Sequence, residues 1–278
     1  MLWMAATGVL FTLLNATMKK LAHELDPWLV GFLRYLLGAL VMLAPALHSG
    51  HFWPKAPRLQ LLRGAFHSGG MMLWFAALPL VTLAELTAIG FSGPLFICLG
   101  AVLFLNERMS AARWAAVLVG FAGVLLVVDP FGAGGFAGVS AGMLLMLASA
   151  PVFAGSFLVA KVLTRHERSD VVVLWQHLLV SAMLAPFALA AWAAPSAAQW
   201  TLLVACGFLG AGGHYCIVRA FRVADISAVQ SVKFLELVWA ALLGLAMFGT
   251  VPESSTVAGG VVILASTLWL ARLEARAR

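Results

Sequence analysis

The chain has 278 residues, 63% of them hydrophobic and only 10% charged, where a soluble domain carries about 25% charged residues. With a mean hydropathy of +1.01, this composition excludes an ordinary soluble domain and points to an integral membrane protein. The formal charge of +6 would suggest nucleic acid in a soluble chain, but here the basic residues are scattered over short connections, so no nucleic-acid partner is expected.

A helix needs about 20 apolar residues to cross the hydrocarbon core of a bilayer. Segments of that kind predict ten helices, at 2–18, 28–47, 61–79, 83–105, 112–128, 138–161, 171–192, 199–219, 226–248 and 254–271. No basic region precedes Leu2, so the first segment reads as a helix and not as a cleavable signal. Trp28, Trp53, Trp192 and Trp200 fall near predicted helix ends, where an amphipathic ring is at home. Cys98, Cys206 and Cys216 all lie inside apolar segments and read as small core residues, not as a disulfide framework.

Ten spans return the chain to the side on which it started. If that side is cytoplasmic, the cytoplasmic connections hold Lys55, Arg58, Arg63, Arg108, Arg113, Arg165, Arg168, Arg219, Arg222, Arg272, Arg276 and Arg278, and the opposite side holds only Lys19 and Lys20. Basic loops stay cytoplasmic during insertion. The expectation is a multi-pass protein of the inner (plasma) membrane with both termini cytoplasmic.

The sequence also repeats. Met42 to Pro45 reads MLAP, and so does Met183 to Pro186. Gly64, Gly69 and Gly70 recur as Gly207, Gly212 and Gly213 at a constant offset, and Lys20 and Lys161 close the first and sixth spans. The halves 1–130 and 131–278 hold five spans each, and an odd number per half turns the second half upside down. The expected fold is an all-α integral membrane protein of ten transmembrane helices in two inverted five-helix repeats. Such repeats build many secondary transporters, with the substrate near the midplane between the halves.

Ionisable residues inside a membrane segment are costly and ask for a reason. In the ninth span Ser227, Gln230, Lys233 and Glu236 recur every third residue. With a start near Ile226, Glu236 lies about 15 Å into the helix. Lys233 and Glu236 can pair at i, i+3, either to cement helices or to hold a zwitterionic substrate in a cavity. In the eighth span His214 shares a face with Gly207, Gly210 and Ala211, and Tyr215 stands beside it. His214 reads as a bonded core residue or as a proton relay. Gln176 and His177 form a second polar pair in the seventh span, and His67 reads as interfacial. Glu85 opens the fourth span, as a charge favoured by the helix dipole or as part of an outer mouth. Arg34 reads as snorkelling to the outer interface. Trp74, Tyr215 and Trp239 are candidates to stack on an aromatic substrate, although most tryptophans in such a chain anchor or pack. The candidate substrate-binding residues are therefore Trp74, Glu85, Gln176, His177, His214, Tyr215, Lys233, Glu236 and Trp239.

Two motifs suggest other chemistry. Gly138 to Gly142 fits G-x-S-x-G, so Ser140 with a histidine such as His214 describes an intramembrane serine protease, but a nucleophile elbow needs a strand-to-helix setting. Gly132 to Ala137 fits a dinucleotide fingerprint without the βαβ unit it requires. There is neither an H-E-x-x-H nor a P-loop, so no metal, cofactor or ATP-driven step is expected. Ala112, Ala116 and Gly120, with Ser255 and Gly259, make small-residue rows in the fifth and tenth spans. Such rows suit helix packing, and they place these spans outside the pathway, as support in a monomer or as the contact of a homodimer.

The five-plus-five spans, Arg34, the run from Gly93-Pro94 to Asn106-Glu107-Arg108, and Gly120 and Gly123 together resemble the EamA type of the drug/metabolite transporter superfamily. In the second half Pro252-Glu253 stands where the Glu-Arg pair would be, and no proline matches Pro94. The resemblance implies a secondary transporter that exports amino acids or related metabolites by alternating access. Its YddG-like branch implies aromatic amino acids. An intramembrane protease using Ser140 and a passive metabolite channel are the alternatives.

Overall fold

The computed structural model describes residues 2–22, 24–77, 80–81, 89–90, 92–128, 140–233, 236, 239, 242 and 254–276. Among them it is all-α, with helices α1 (Leu2–Ala22), α2 (Pro27–His48), α3 (Pro57–Ala77), α4 (Gly93–Leu105), α5 (Ala111–Val128), α6 (Ala141–Leu163), α7 (Ser169–Ala190), α8 (Ala197–Val223), α9 (Ile226–Lys233) and α10 (Ser254–Arg276). The helices follow the ten predicted spans in order. Four of them, α2, α6, α7 and α8, are long and apolar enough to cross a membrane by length and composition. Helix α4 is described from Gly93 onwards, and residues 82–88, with Glu85, lie outside the described residues. Beyond Lys233, residues Glu236, Trp239 and Leu242 are also helical.

Local chemistry sets several of the helix ends. Asp26 Oδ1 accepts the N–H of Trp28 at 2.8 Å, and Pro27 supplies a preset φ at the first position of α2. Ser140 Oγ accepts the N–H of Met143 at 3.2 Å, the bond of an ordinary N-cap serine. Helix α4 stops at Asn106, whose φ of 54° is left-handed, and the following N–H of Glu107 folds back to the Ala101 carbonyl at 3.1 Å. Helix α3 begins at Pro57 and α8 runs on to Val223. Arg58, Arg63, Arg219 and Arg222, which the charge count assigns to connections, are therefore helical residues.

Two compact units divide the described chain. One holds residues 70–154 and 224–278, and the other holds residues 2–69 and 155–223. Each draws on both halves of the sequence. In the first, α5 packs along α10, and Ser266 Oγ donates to the Ala116 carbonyl at 3.3 Å. The small-residue row of α5 thus receives α10 within the chain.

In the second unit, α2 packs against α7 and α8, and α1 lies along α8. Glycine makes the closest approach possible. A Cβ on Gly207 would stand 2.7 Å from Leu37 Cβ and 3.1 Å from the Leu37 carbonyl carbon, so α8 meets the α2 backbone where no larger residue fits. Ala39, Ala46 and Leu174 form an apolar core between α2 and α7, extended by Met42, Leu43, Phe52 and Leu178. Large apolar side chains such as Leu40, Leu47, Leu189 and Phe208 are left exposed on these helices, as lipid-facing residues should be.

Candidate functional site

The interior of the second unit holds a polar cluster built by four helices. Helix α2 supplies Arg34 and Tyr35, α3 supplies Arg63 and His67, α7 supplies Gln176 and His177, and α8 supplies His214. All seven are buried, from 0% exposure for Gln176 to 7% for Arg34.

Rings form the centre of the cluster. The Tyr35 ring centroid lies 5.2 Å from that of His177, 5.9 Å from His67 and 6.2 Å from His214. His214 lies 5.1 Å from His177 and 5.4 Å from His67. The Arg34 guanidinium sits 4.2 Å from the centroid of the Tyr35 ring, a cation–π arrangement.

Hydrogen bonds fix the orientation of these rings. His177 Nδ1 meets the Val173 carbonyl at 2.9 Å, and His214 Nδ1 meets the Gly210 carbonyl at 2.8 Å. A carbonyl only accepts, so Nδ1 carries the proton in both neutral rings and Nε2 keeps its lone pair. His67 is bracketed by hydroxyls, with Tyr35 Oη 2.8 Å from Nε2 and Ser156 Oγ 3.3 Å from Nδ1. A hydroxyl donates or accepts, so His67 takes either tautomer without losing a bond.

Arg63 ties two helices together. It donates to the Val172 carbonyl at 2.8 Å and to Gln176 Oε1. Two readings made from hydropathy are corrected here. Arg34 does not snorkel outward but turns inward over Tyr35, and His67 is not interfacial but 3% exposed between two hydroxyls. His67 finds two hydroxyl partners in the interior, which removes the reason to reach for water, while Arg34 meets the face of the Tyr35 ring.

The other sequence candidates stand elsewhere. Tyr215 packs edge-on to Trp3 at 6.3 Å, and Arg219 covers the same tryptophan. Tyr215 therefore faces α1 and not the cluster. Trp74 packs edge-on to Phe75 at 5.2 Å in the first unit. Lys233, Glu236 and Trp239 also belong to that unit. Glu236 Oε2 is buried without a hydrogen bond. Trp239 is exposed. Gln230 is fully buried, and its Nε2 donates to the Ile226 carbonyl at 3.3 Å. The Ser227 side chain and Glu85 lie outside the described residues. Tyr35, Arg63 and Ser156 were not candidates on sequence grounds. One signal was present, since Gln60, Arg63 and His67 recur at i, i+3 and i+7, the spacing of one helix face.

Among the described residues, no group of three histidine, cysteine or acidic side chains is arranged to hold a metal ion. A buried polar cluster among helices long and apolar enough to cross a membrane is the organisation of a polytopic membrane transporter. Comparison with known proteins narrows that class. The chain belongs to the EamA-like transporter family of the drug/metabolite transporter superfamily, matching it over residues 1–129 and again over 140–272. It is 33% identical to a riboflavin transporter of Rhizobium johnstonii over 99% of this chain and 91% of that one. It is 29% identical to an S-adenosylmethionine uptake transporter of Rickettsia bellii over 93% and 88%. It is 27% identical to the pseudopaline exporter CntI of Pseudomonas aeruginosa over 95% and 93%. Among solved structures that match, a crystal structure is similar in fold, with a TM-score of 0.82 and 23% identity over 98% of this chain and 96% of the other.

Proposed function

We propose that this membrane transporter is a secondary carrier of small organic metabolites, working by alternating access between the five-helix repeats 1–130 and 131–278. The observation that carries the reading is the cluster of Arg34, Tyr35, Arg63, His67, Gln176, His177 and His214. Such a concentration of polar side chains in a hydrocarbon-embedded unit is costly unless it serves a pathway. Two successive matches to one family support the repeat. The charge asymmetry supports an inner-membrane location with both termini cytoplasmic.

The names of the relatives redirect the choice of substrate. Aromatic amino-acid export follows from the resemblance alone, whereas the relatives carry the names of riboflavin, S-adenosylmethionine and pseudopaline. Those names include both an uptake and an export protein, so direction is a property to measure. The test is transport into proteoliposomes of riboflavin, S-adenosylmethionine, tryptophan and phenylalanine, with and without the same compound inside. Accelerated exchange of one compound supports the carrier. Flux that never saturates and shows no counterflow would point to a channel.

Ser140 has an ordinary duty as the N-cap of α6, which accounts for the G-x-S-x-G match without a nucleophile. Ser140→Ala should leave transport intact.

A further inference from the structure

We propose that Arg34, Arg63 and Gln176 form a buried seat for an oxyanion, a carboxylate or a phosphate group carried by the transported molecule. This deepens the carrier reading and rests on it for the identity of the occupant.

Three side-chain N–H donors in the cluster are buried without a hydrogen-bond partner: Arg34 Nε, Arg63 Nε and Gln176 Nε2. The Gln176 amide has no freedom to turn around, because its oxygen already accepts from Arg63. Gln60, one turn before Arg63 on α3, adds a buried amide that is also unpartnered. Unmade bonds of buried donors are expensive, and in native proteins they are few.

Charge sharpens the argument. No carboxylate pairs with either guanidinium among the described residues, where the ion pairs seen are Arg113 with Asp225 and Arg168 with Asp170. The Tyr35 ring covers Arg34, and the Val172 carbonyl and the Gln176 amide receive Arg63. These are neutral partners. Arg34 lies over the Tyr35 ring, that ring stands 5.2 Å from His177, and Arg63 meets Gln176 beside His177 in sequence, so the two charges share one small region. Two cations buried together repel, and each loses its hydration. An anion between them relieves both effects, and the guanidinium fork suits the two oxygens of a carboxylate or phosphate.

A metal ion on the three imidazoles is the competing occupant. It fails on charge, since two guanidinium groups already stand beside the rings. It also fails on arrangement, since among the described residues no group of three histidine, cysteine or acidic side chains is placed to hold a metal ion. An anion needs donors, and donors are what the cluster leaves unused.

The test uses the purified full chain in detergent, with thermal unfolding followed in sodium acetate, sodium phosphate or acetamide against sodium chloride at matched ionic strength. A saturating rise in Tm of about 2–4 °C with acetate or phosphate, absent with acetamide, is expected. The arm with the larger rise tells carboxylate from phosphate. Arg34→Gln and Arg34→Lys should each reduce the rise, Arg34→Lys less, while Arg168→Gln should leave it unchanged. A wild-type curve that tracks ionic strength alone overturns the proposal, whatever the variants do. So does a saturating rise that survives in both Arg34 variants. Failure of the carrier reading is separate, because anion binding would persist in a chain that moves no compound of the transport panel.

Discussion

The carboxylate of Glu107 accepts the backbone N–H of Ile226 at 2.9 Å, so a residue two positions beyond the end of α4 caps the first turn of α9. Asn106 makes this possible by ending α4 in a left-handed conformation, and Arg113 adds an exposed bond to Asp225 at 3.3 Å. Asn106, Glu107 and Arg113 therefore act as a clasp between two helices. In the second unit Glu167 plays a like part, its Oε1 accepting the N–H of Ala56 ahead of α3 at 2.8 Å.

Loss of that clasp should be measurable. Glu107→Ala should lower stability by about 1 kcal/mol, the usual cost of losing a cap, and Glu107→Gln should recover most of it because the amide oxygen still accepts. Thermal unfolding of the three proteins in one detergent checks this. Arg113→Ala should cost less than Glu107→Ala, since an exposed pair contributes about 0–1 kcal/mol.

Helix packing gives a second outcome. Gly207→Val places new carbon atoms against Leu37, where a Cβ alone would come within 2.7 Å of Leu37 Cβ and 3.1 Å of its carbonyl carbon. Backbone cannot swing aside as a side chain can, so overpacking should cost about 1–3 kcal/mol. Gly212→Ala is the control, since its Cβ would meet Leu10 at 3.5 Å, an ordinary separation. Folded yield by size exclusion and Tm should fall for the first and hold for the second.

The helices were legible because hydrophobic length is a direct readout of bilayer thickness, and α1 to α10 follow the predicted spans. What misled was the treatment of basic residues. Counting every arginine near a boundary as a loop residue serves orientation, but it hid Arg63, which α3 carries into the interior. Distance from an interface suggests an outward Arg34, whereas the side chain lies over Tyr35, its neighbour in sequence, and beside Gly210 of α8, which only packing brings near. Gln176, His177 and His214 stood out as polar residues in apolar runs. Their meeting with Tyr35 and His67 depends on which faces of α2, α3, α7 and α8 turn inward, and a helix buried on most sides gives only a weak periodic signal.

Tyr35 offers a sharp substitution at the cluster. Tyr35→Phe keeps the ring beneath Arg34 and beside the three histidines but removes the 2.8 Å bond to His67. A buried hydrogen bond lost from one side costs about 1–3 kcal/mol, or a fall in Tm of roughly 2–4 °C per kcal/mol for a chain near this size. If the cluster lines the pathway, exchange transport by Tyr35→Phe should fall by more than the folded fraction does. Ser156→Ala should have a smaller effect on both, because its bond to His67 is 3.3 Å long.

The pair Lys233 and Glu236 is proposed to line a cavity and to tune the binding of substrate. Lys233 stands three residues before Glu236 on a helix, the spacing at which two side chains meet, and Glu236 Oε2 is buried without a hydrogen bond. A carboxylate in hydrocarbon is tolerated when a cation or water attends it. Lys233→Met removes the cation and should lower transport or move its pH profile. Lys233→Met combined with Glu236→Gln removes both charges, so the double variant should fold at least as well as the single one, given that a buried pair replaced by neutral groups is often tolerated. Stability and transport should then separate. Unfolding in detergent should recover in the double variant, while exchange transport stays low because the polar groups offered to the substrate are gone. Should the pair serve only to hold helices together, stability and transport will recover in step. Wild-type exchange kinetics across pH in the double variant would therefore remove these two residues from the pathway and leave substrate recognition to the histidine and arginine cluster of the other unit.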